Sequence, residues 1–267
     1  MNIKRFTNII KRNSIYEDEV EKNIDDFFET ICINGDMTKL IKEAGSALDI
    51  LVFNIPMKID TIGAVSYKTN YSKYILLNSN QPRCKMYFAF YHDIYHVLNG
   101  ASNIINEQKE VHFNEDYLSD ENECKANLFA ASVLMPKNTF KRIFKIYNEK
   151  ETDLKITIFK LMNYFNSPYI AVLLRLFELN LIKDLSYVND YLTLKEEDLF
   201  DEFKENGISD DILKPTFDDD SACLYKLIKS DAEKLISKNL LSEAKYNRLL
   251  VRIDNFIKDI RIDTKND

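Results

Sequence analysis

The scarcity of chain-breaking residues is what most limits the folds open to this sequence. Only five Gly and five Pro are spread over 267 residues. That leaves few turn signals and favours long helices over a sandwich of many short strands. A mainly helical α+β fold follows. Apolar residues at 45% and charged residues at 30% supply enough Ile, Leu, Phe and Tyr for a core that a disordered chain could not build. The length suits one large domain or a compact domain with an appendage.

Residues 15–48 hold two helical stretches, IYEDEVEKNIDDFFETICI and DMTKLIKEAGSAL, parted by the turn pair Asn34-Gly35. From Leu48 to Asn80 the pattern changes to short β-rich runs, LDILVFNIP, IGAVSYKTN and SKYILLNSN, separated by Pro56, Gly63 and polar residues. They read as a small sheet of three strands. The segment RCKMYFAFYHDIYHVLNG, from Arg83 to Gly100, has the length of a helix and closes on Asn99-Gly100, a pair suited to a helix C-terminus. A polar loop leads to a second helix opening near Ser119. Asp120, Glu121 and Glu123 crowd its first turn, where carboxylates meet the positive end of the helix dipole, and it ends before Pro136.

After a helix at Asn138–Asn148, KITIFKLMNYFNSPYIAVLLRLFELNLI reads as two helices about Asn166-Ser167-Pro168, with Ser167 as cap and Pro168 at the first helical position. From about Asp184 the chain is helical and acidic: residues 186–222 hold twelve Asp or Glu against three Lys. The expected division is 1–35, an N-terminal helical segment; 36–150, a compact core with the sheet; 151–183, a helix-turn-helix-like pair; and 184–267, an acidic helical region.

The net charge of −7 argues against a general attraction to nucleic acid or anionic lipid, which need a cationic surface. The opening MNIKRFTNIIKRNS lacks the apolar run of a secretory signal, and no apolar run approaches the roughly 20 residues of a membrane helix. Cys32, Cys84, Cys124 and Cys223 are scattered without a CxxC pair, which reads as free thiols in a reducing cytoplasm.

The chemistry concentrates around His92 and His96. Four residues apart on a helix, they stack one turn above the other, so both imidazoles can reach one ion. Zinc in a catalytic site takes three protein ligands and keeps one position open, so a third ligand must come from elsewhere. Glu123 and Asn127 are likewise four apart at the start of the second helix. Glu123 can ligate while Asn127 hydrogen-bonds a ligand. Asp120 and Glu121 compete for the third position, but only Glu123 has the helical relation to Asn127. One divalent metal is therefore expected, with zinc leading and manganese or iron open to the same donors.

Other residues near these motifs read as structural. His112 is a solvated loop histidine, Tyr91 and Tyr95 pack a helix into its core, and Cys124 points about 100° away from Glu123 around the helix. In the helix-turn-helix-like pair, the second helix offers chiefly Arg175 among apolar groups, which suits burial better than reading base edges.

Taken in order, ILLNSN, FAFYHDIYHVLNG and ENECKANLFAASVLMP resemble the ImmA/IrrE metallopeptidases. The last segment is similar to that family's run of a carboxylate, Ala-Asn, Phe-Ala-Ala and Leu-Met-Pro. The resemblance covers about Asp36 to Pro136, and the pair ending in RLFELNLI resembles the helical region that follows the family's peptidase core. It implies a zincin-like core with His92, His96 and Glu123 as metal ligands, and Asn127 as the Asn of the Ala-Asn pair. It also implies an endopeptidase whose substrate is a transcriptional repressor of a mobile element or stress response. One position departs: the family's general base is a Glu directly after the first His, as in His-Glu-x-x-His, and here Asp93 stands there, one methylene shorter. That substitution keeps a second function open, a catalytically impaired metal-binding protein that regulates a partner by association.

Overall fold

A computed structural model describes residues 2–31, 37–59, 61–68, 72–99, 120–151, 153–185, 188–194 and 196–262. Cys32, the Asn34-Gly35 pair, Gly100, His112 and Ser119 lie outside the described residues. The fold is mainly helical with one three-stranded sheet.

Helix α1 spans Ile3–Thr30, twelve residues earlier than the stretch read from Ile15. Its stripe of apolar side chains continues back through Phe6 and Ile9, which are buried with Val20, Ile24 and Phe27. Asn2 caps it, its Oδ1 accepting from the Arg5 N–H at 2.9 Å, which satisfies a donor that the first turn would otherwise leave unpaired. Helix α2 follows at Met37–Ala47.

The sheet consists of β1 (Leu51–Ile55), β2 (Ala64–Lys68) and β3 (Lys73–Asn78) in the order β1-β3-β2, with β1 parallel and β2 antiparallel to β3. Side chains alternate across it. Ala64, Ile75 and Leu77 face the main helical core. Phe53, Ile55 and Leu76 face a second cluster with Met57 and Ile62. Asn78, fully buried at the end of β3 in the ILLNSN run, organises the turns around it. Its Nδ2 donates to the carbonyls of Ile59 and Ile62 at 3.0 and 2.8 Å, and its Oδ1 accepts from the N–H groups of Met57 and Asn80. Four bonds to one side chain fix the ends of β1 and β2 relative to β3.

Helix α3 (Arg83–Asn99) lies on the core face of the sheet and is buried on every side from Met86 to Tyr95. A helix surrounded in this way is held by tertiary packing rather than by an amphipathic stripe. Helix α4 (Glu121–Leu134) packs along it, capped by Asp120, whose side chain accepts from the Asn122 N–H. Beyond it come α5 (Lys137–Asn148), α6 (Leu154–Phe165) and α7 (Tyr169–Glu178). The α6–α7 turn differs in detail from the expected cap. Asn166 takes the left-handed conformation at φ 49°, Pro168 is the N-cap without a side-chain bond, and the Ser167 hydroxyl donates back to the Phe165 carbonyl. Ser167 is therefore a turn-former, because Asn166 has already closed the preceding helix.

Arg175 is buried, with Nε donating to the Met135 carbonyl at 3.3 Å and Nη1 to Glu178 at 3.2 Å. Asn13 of α1 donates to the other Glu178 oxygen at 2.6 Å. The guanidinium thus ties α7 to the end of α4 and to α1.

The C-terminal part comprises α8 (Val188–Leu192), α9 (Glu196–Glu205), a 3-10 turn at Asp211–Leu213, α10 (Ser221–Ser237) and α11 (Glu243–Ile260). Leu224 and Leu227 of α10 and Ile260 of α11 cover the second cluster, so the sheet is enclosed between two helical layers. The segment before α10 runs along the outer side of β1. The N–H and side chain of Asn54 both donate to Asp220, the Asp220 N–H donates to the Asn54 carbonyl, and Asp219 pairs with Arg261 at 2.6 Å. Cys84, Cys124 and Cys223 are free thiols. No helix among the described residues is long and apolar enough to cross a membrane.

Candidate metal centre

His92 and His96 project from the middle of α3 toward the first turn of α4, and Glu123 meets them there. Their atoms converge. His96 Nε2 lies 3.0 Å from His92 Nε2, His92 Nε2 lies 3.1 Å from Glu123 Oε2, and His96 Nε2 lies 3.4 Å from Glu123 Oε1. Three ligands at tetrahedral angles, each about 2.05 Å from one ion, would stand about 3.3 Å apart. The observed triangle is therefore one face of such a tetrahedron. The three residues form a cluster able to hold a divalent metal ion.

The hydrogen bonding explains why these atoms are ready to ligate. Asn127 Oδ1 can only accept, so the 3.0 Å contact places the proton of neutral His92 on Nδ1. The Nε2 lone pair then points at a carboxylate oxygen and another ring nitrogen, which is favourable only with a proton or a metal ion between them. Charge agrees as well. The Glu123 carboxylate, held ionised by its bonds to the two imidazoles, and the buried Asp93 carboxyl beside it offer the negative charge that a divalent cation would offset.

Each competitor for the third ligand is occupied elsewhere. Asp120 caps α4. Glu121 pairs with Lys125 at 2.6 Å, and the same ammonium meets Glu19 of α1 at 2.7 Å over the Tyr16 ring. Burial alone would lower the Lys125 pKa, but its bonds to Glu121 and Glu19 outweigh it and hold the ammonium charged. This pairing pins the first turn of α4, and with it Glu123, to α1. Cys124 turns the other way, receiving a 3.7 Å contact from Arg12 of α1. Tyr91 is fully buried against Phe27 and Phe90, and Tyr95 packs on Phe129.

Asp93 is buried beside the cluster. With His92, His96, Glu123, Ala64, Val65 and Ser66 it lines a void of about 10 Å³, near the space one water requires. Oδ2 of Asp93 is buried with no hydrogen-bond partner among the described residues. Burial pushes the Asp93 carboxyl up, opposed by positive charge on His92 and His96 and by a hydrogen bond from Ser66. For Glu123 burial acts upward too, but the bonds to His92 and His96 hold it far below the usual carboxylate range. Burial would lower His92; its hydrogen bond to Glu123 and the nearby charges of Asp93 and Glu123 prevail and raise it.

The β2 residues on this list carry no mark in the sequence. Ala64, Val65 and Ser66 reach the void because β2 is the sheet edge beside α3. Only the expectation of a strand at this place hinted at them. Among the described residues, no strand pairs with the outer edge of β2.

Two consequences can be measured on the metal site. Asn127→Ala removes the acceptor that fixes the His92 tautomer, and metal affinity is expected to fall about 10- to 100-fold, read by competition with a chromophoric chelator. The pH dependence has opposite signs with and without metal. Without metal, the raised His92 pKa stabilises the fold below the unfolded value of 6.5, and that stability is lost as pH rises through the folded value. With metal the imidazole must be neutral, so the stabilisation by metal grows over the same rise. Paired melting curves from about pH 5 to 9 should therefore diverge with rising pH; a gap that narrows would contradict this arrangement.

A family model for peptidases, described as IrrE N-terminal-like domain, matches residues 46–177, from the end of α2 through α7. No curated protein matches the chain.

Proposed function

Since the chain belongs to the ImmA/IrrE peptidase family through residues 46–177, we propose that it is a zinc-dependent endopeptidase of the cytoplasm, cutting a transcriptional repressor of a mobile element or stress response. The observation that carries this reading is the triangle of His92, His96 and Glu123 with an unpartnered carboxylate oxygen of Asp93 in the same void. A bound divalent ion supplies Lewis acidity toward a scissile carbonyl and acidifies water.

The chain's own residues do the rest. His92 and His96 would hold the ion from one rigid helix, and Glu123 would join them from α4. Asp93 accepts the proton of the attacking water at Oδ2 and returns it to the leaving amine. The outer edge of β2, which no strand among the described residues pairs with, offers backbone groups to an extended peptide, which adds as a further strand and so lays its carbonyls across the site. Exclusion of bulk water by α3, β2 and α4 strengthens each of these interactions.

The shorter side chain of Asp93 supports a second reading, a metal-stabilised regulator that binds its partner without cutting it. One experiment addresses the first. Metal-loaded protein, chelator-treated protein and His96→Ala are incubated with a helix-turn-helix repressor as the candidate substrate. Cleavage by the metal-loaded protein alone is the expected result. An intact repressor in all three, despite binding, would favour the regulator.

A further inference from the structure

The acidity of the C-terminal part ends at Asp220. From Ser221 to Ile262 the chain carries nine Lys or Arg against five Asp or Glu, although its net charge as a whole is −7. This basic stretch is the pair α10 and α11. Asn239, left-handed at φ 56°, follows the end of α10, and the Ser242 hydroxyl caps α11 by accepting from the Lys245 N–H. Tyr225 of α10 donates to Asp254 of α11, so the two helices run antiparallel as a hairpin. Little of the hairpin is covered: of its two helices, only Ser221, Ala232 and Ile257 are buried.

One face of α11 stays in solvent. Lys245, Arg248, Leu249, Arg252 and Phe256 are all exposed, the two apolar ones at 43% and 49%. At 100° per residue the five fall within one arc of about 100°, so cations and apolar groups are neighbours along about three turns. Among the described residues, none of the three cations has a carboxylate partner, and Arg248 donates to the Ala244 carbonyl of its own helix. The acids of α11 stand aside. Glu243 opens the helix, Asp254 holds Tyr225, and Asp259 lies in the last turn beyond Phe256.

We propose that this face of α11 is a docking surface for an acidic amphipathic helix of a partner protein. Leu249 and Phe256 call for apolar cover, and Lys245, Arg248 and Arg252 call for carboxylates beside it. A helix with apolar residues one turn apart, flanked by Glu or Asp, supplies both. Shape also chooses among anions. A duplex or a bilayer is broad, and along α11 it would meet Asp218 and Asp219, exposed at the root of the hairpin, where Asp219 pairs with Arg261. A single helix covering the roughly 16 Å from Lys245 to Phe256 stops short of them. Because α11 lies outside the matched residues 46–177, the assignment does not rest on the peptidase reading.

The test uses the full chain and two labelled synthetic peptides: an amphipathic helix of Leu and Glu, and the same helix with Lys for every Glu. Binding is followed by fluorescence anisotropy at low and physiological salt. The parent should bind the Glu peptide, less tightly as salt rises, and should not bind the Lys peptide. Arg248→Glu/Arg252→Glu and Leu249→Ser/Phe256→Ser should each weaken binding about tenfold. Lys258→Glu, a charge reversal on another side of α11, should stay within about twofold of the parent. All five positions are exposed, so melting temperatures should match the parent.

No binding of the Glu peptide overturns the proposal. Equal binding of both peptides does so too, as does a loss in Lys258→Glu as large as in the double variants, since the attraction would then belong to no particular face. Tighter binding to phosphatidylglycerol vesicles or duplex DNA, lost in the same double variants, would give the face to a lipid or nucleic acid surface. A dimer of the parent that those variants dissolve would give it to a second copy. Either result overturns the proposal.

Discussion

Asp93→Ala is expected to slow repressor cleavage roughly 100- to 10,000-fold while leaving the bound metal in place. The separation follows from the geometry. Asp93 is not among the three converging ligands, so its loss removes a proton acceptor and not a donor atom of the site. It also removes a buried carboxyl that burial drives toward its neutral form, which makes the variant no less stable than the parent. Metal analysis and cleavage rates on the same preparations check both halves. Asp93→Glu, measured alongside, tells the two readings of function apart. A large gain in cleavage identifies the parent as an impaired enzyme, and an unchanged rate shows that the shorter acid suffices. Equal cleavage by parent and Asp93→Ala would remove this residue from the chemistry.

The second large effect concerns stability. Arg175→Ala should cost about 3 kcal/mol, lowering the melting temperature by roughly 10 °C at the usual 2–4 °C per kcal/mol for chains near this size. The guanidinium is buried and bonded to the Met135 carbonyl and to Glu178. Its removal leaves a largely buried carboxylate whose remaining partner among the described residues is Asn13, and a carbonyl at the end of α4 without its donor. Arg175→Lys cannot restore it, because one ammonium does not reproduce a planar fork spanning two acceptors. A melting temperature within a degree of the parent would show that α7, α4 and α1 are held by apolar contacts alone.

What the sequence disclosed followed the reach of its local signals. The three strands, the helix Arg83–Asn99 and the acidic start of α4 appear where periodicity and caps placed them. The convergence of His92, His96 and Glu123 was legible because two of the three share a helix, and the third precedes Asn127 by one turn. The extra length of α1 escaped because its polar residues between Lys11 and Glu19 hide a stripe that only Phe6 and Ile9 reveal. Ser66 escaped for a different reason. Its place beside the void comes from the β1-β3-β2 order, a pairing between distant segments that no local pattern records. The burial of Arg175 could be inferred from its apolar neighbours, whereas its bond to Met135 depends on how α4 ends. The lock made by Asn78 likewise joins backbone groups up to twenty-one residues away.

The two margins of the sheet have opposite fates. Along β1, Asn54 and Asp220 exchange bonds, and Ile262 and Lys58 pair with Pro56 and Ile260. Along the outer side of β2 no strand pairs among the described residues. A bare margin normally invites indiscriminate self-association. By sealing the β1 side with its own last helices, the chain leaves that stickiness, among the described residues, to the flank beside the histidines, so the hazard of an unfinished sheet falls where the proposed peptide would dock.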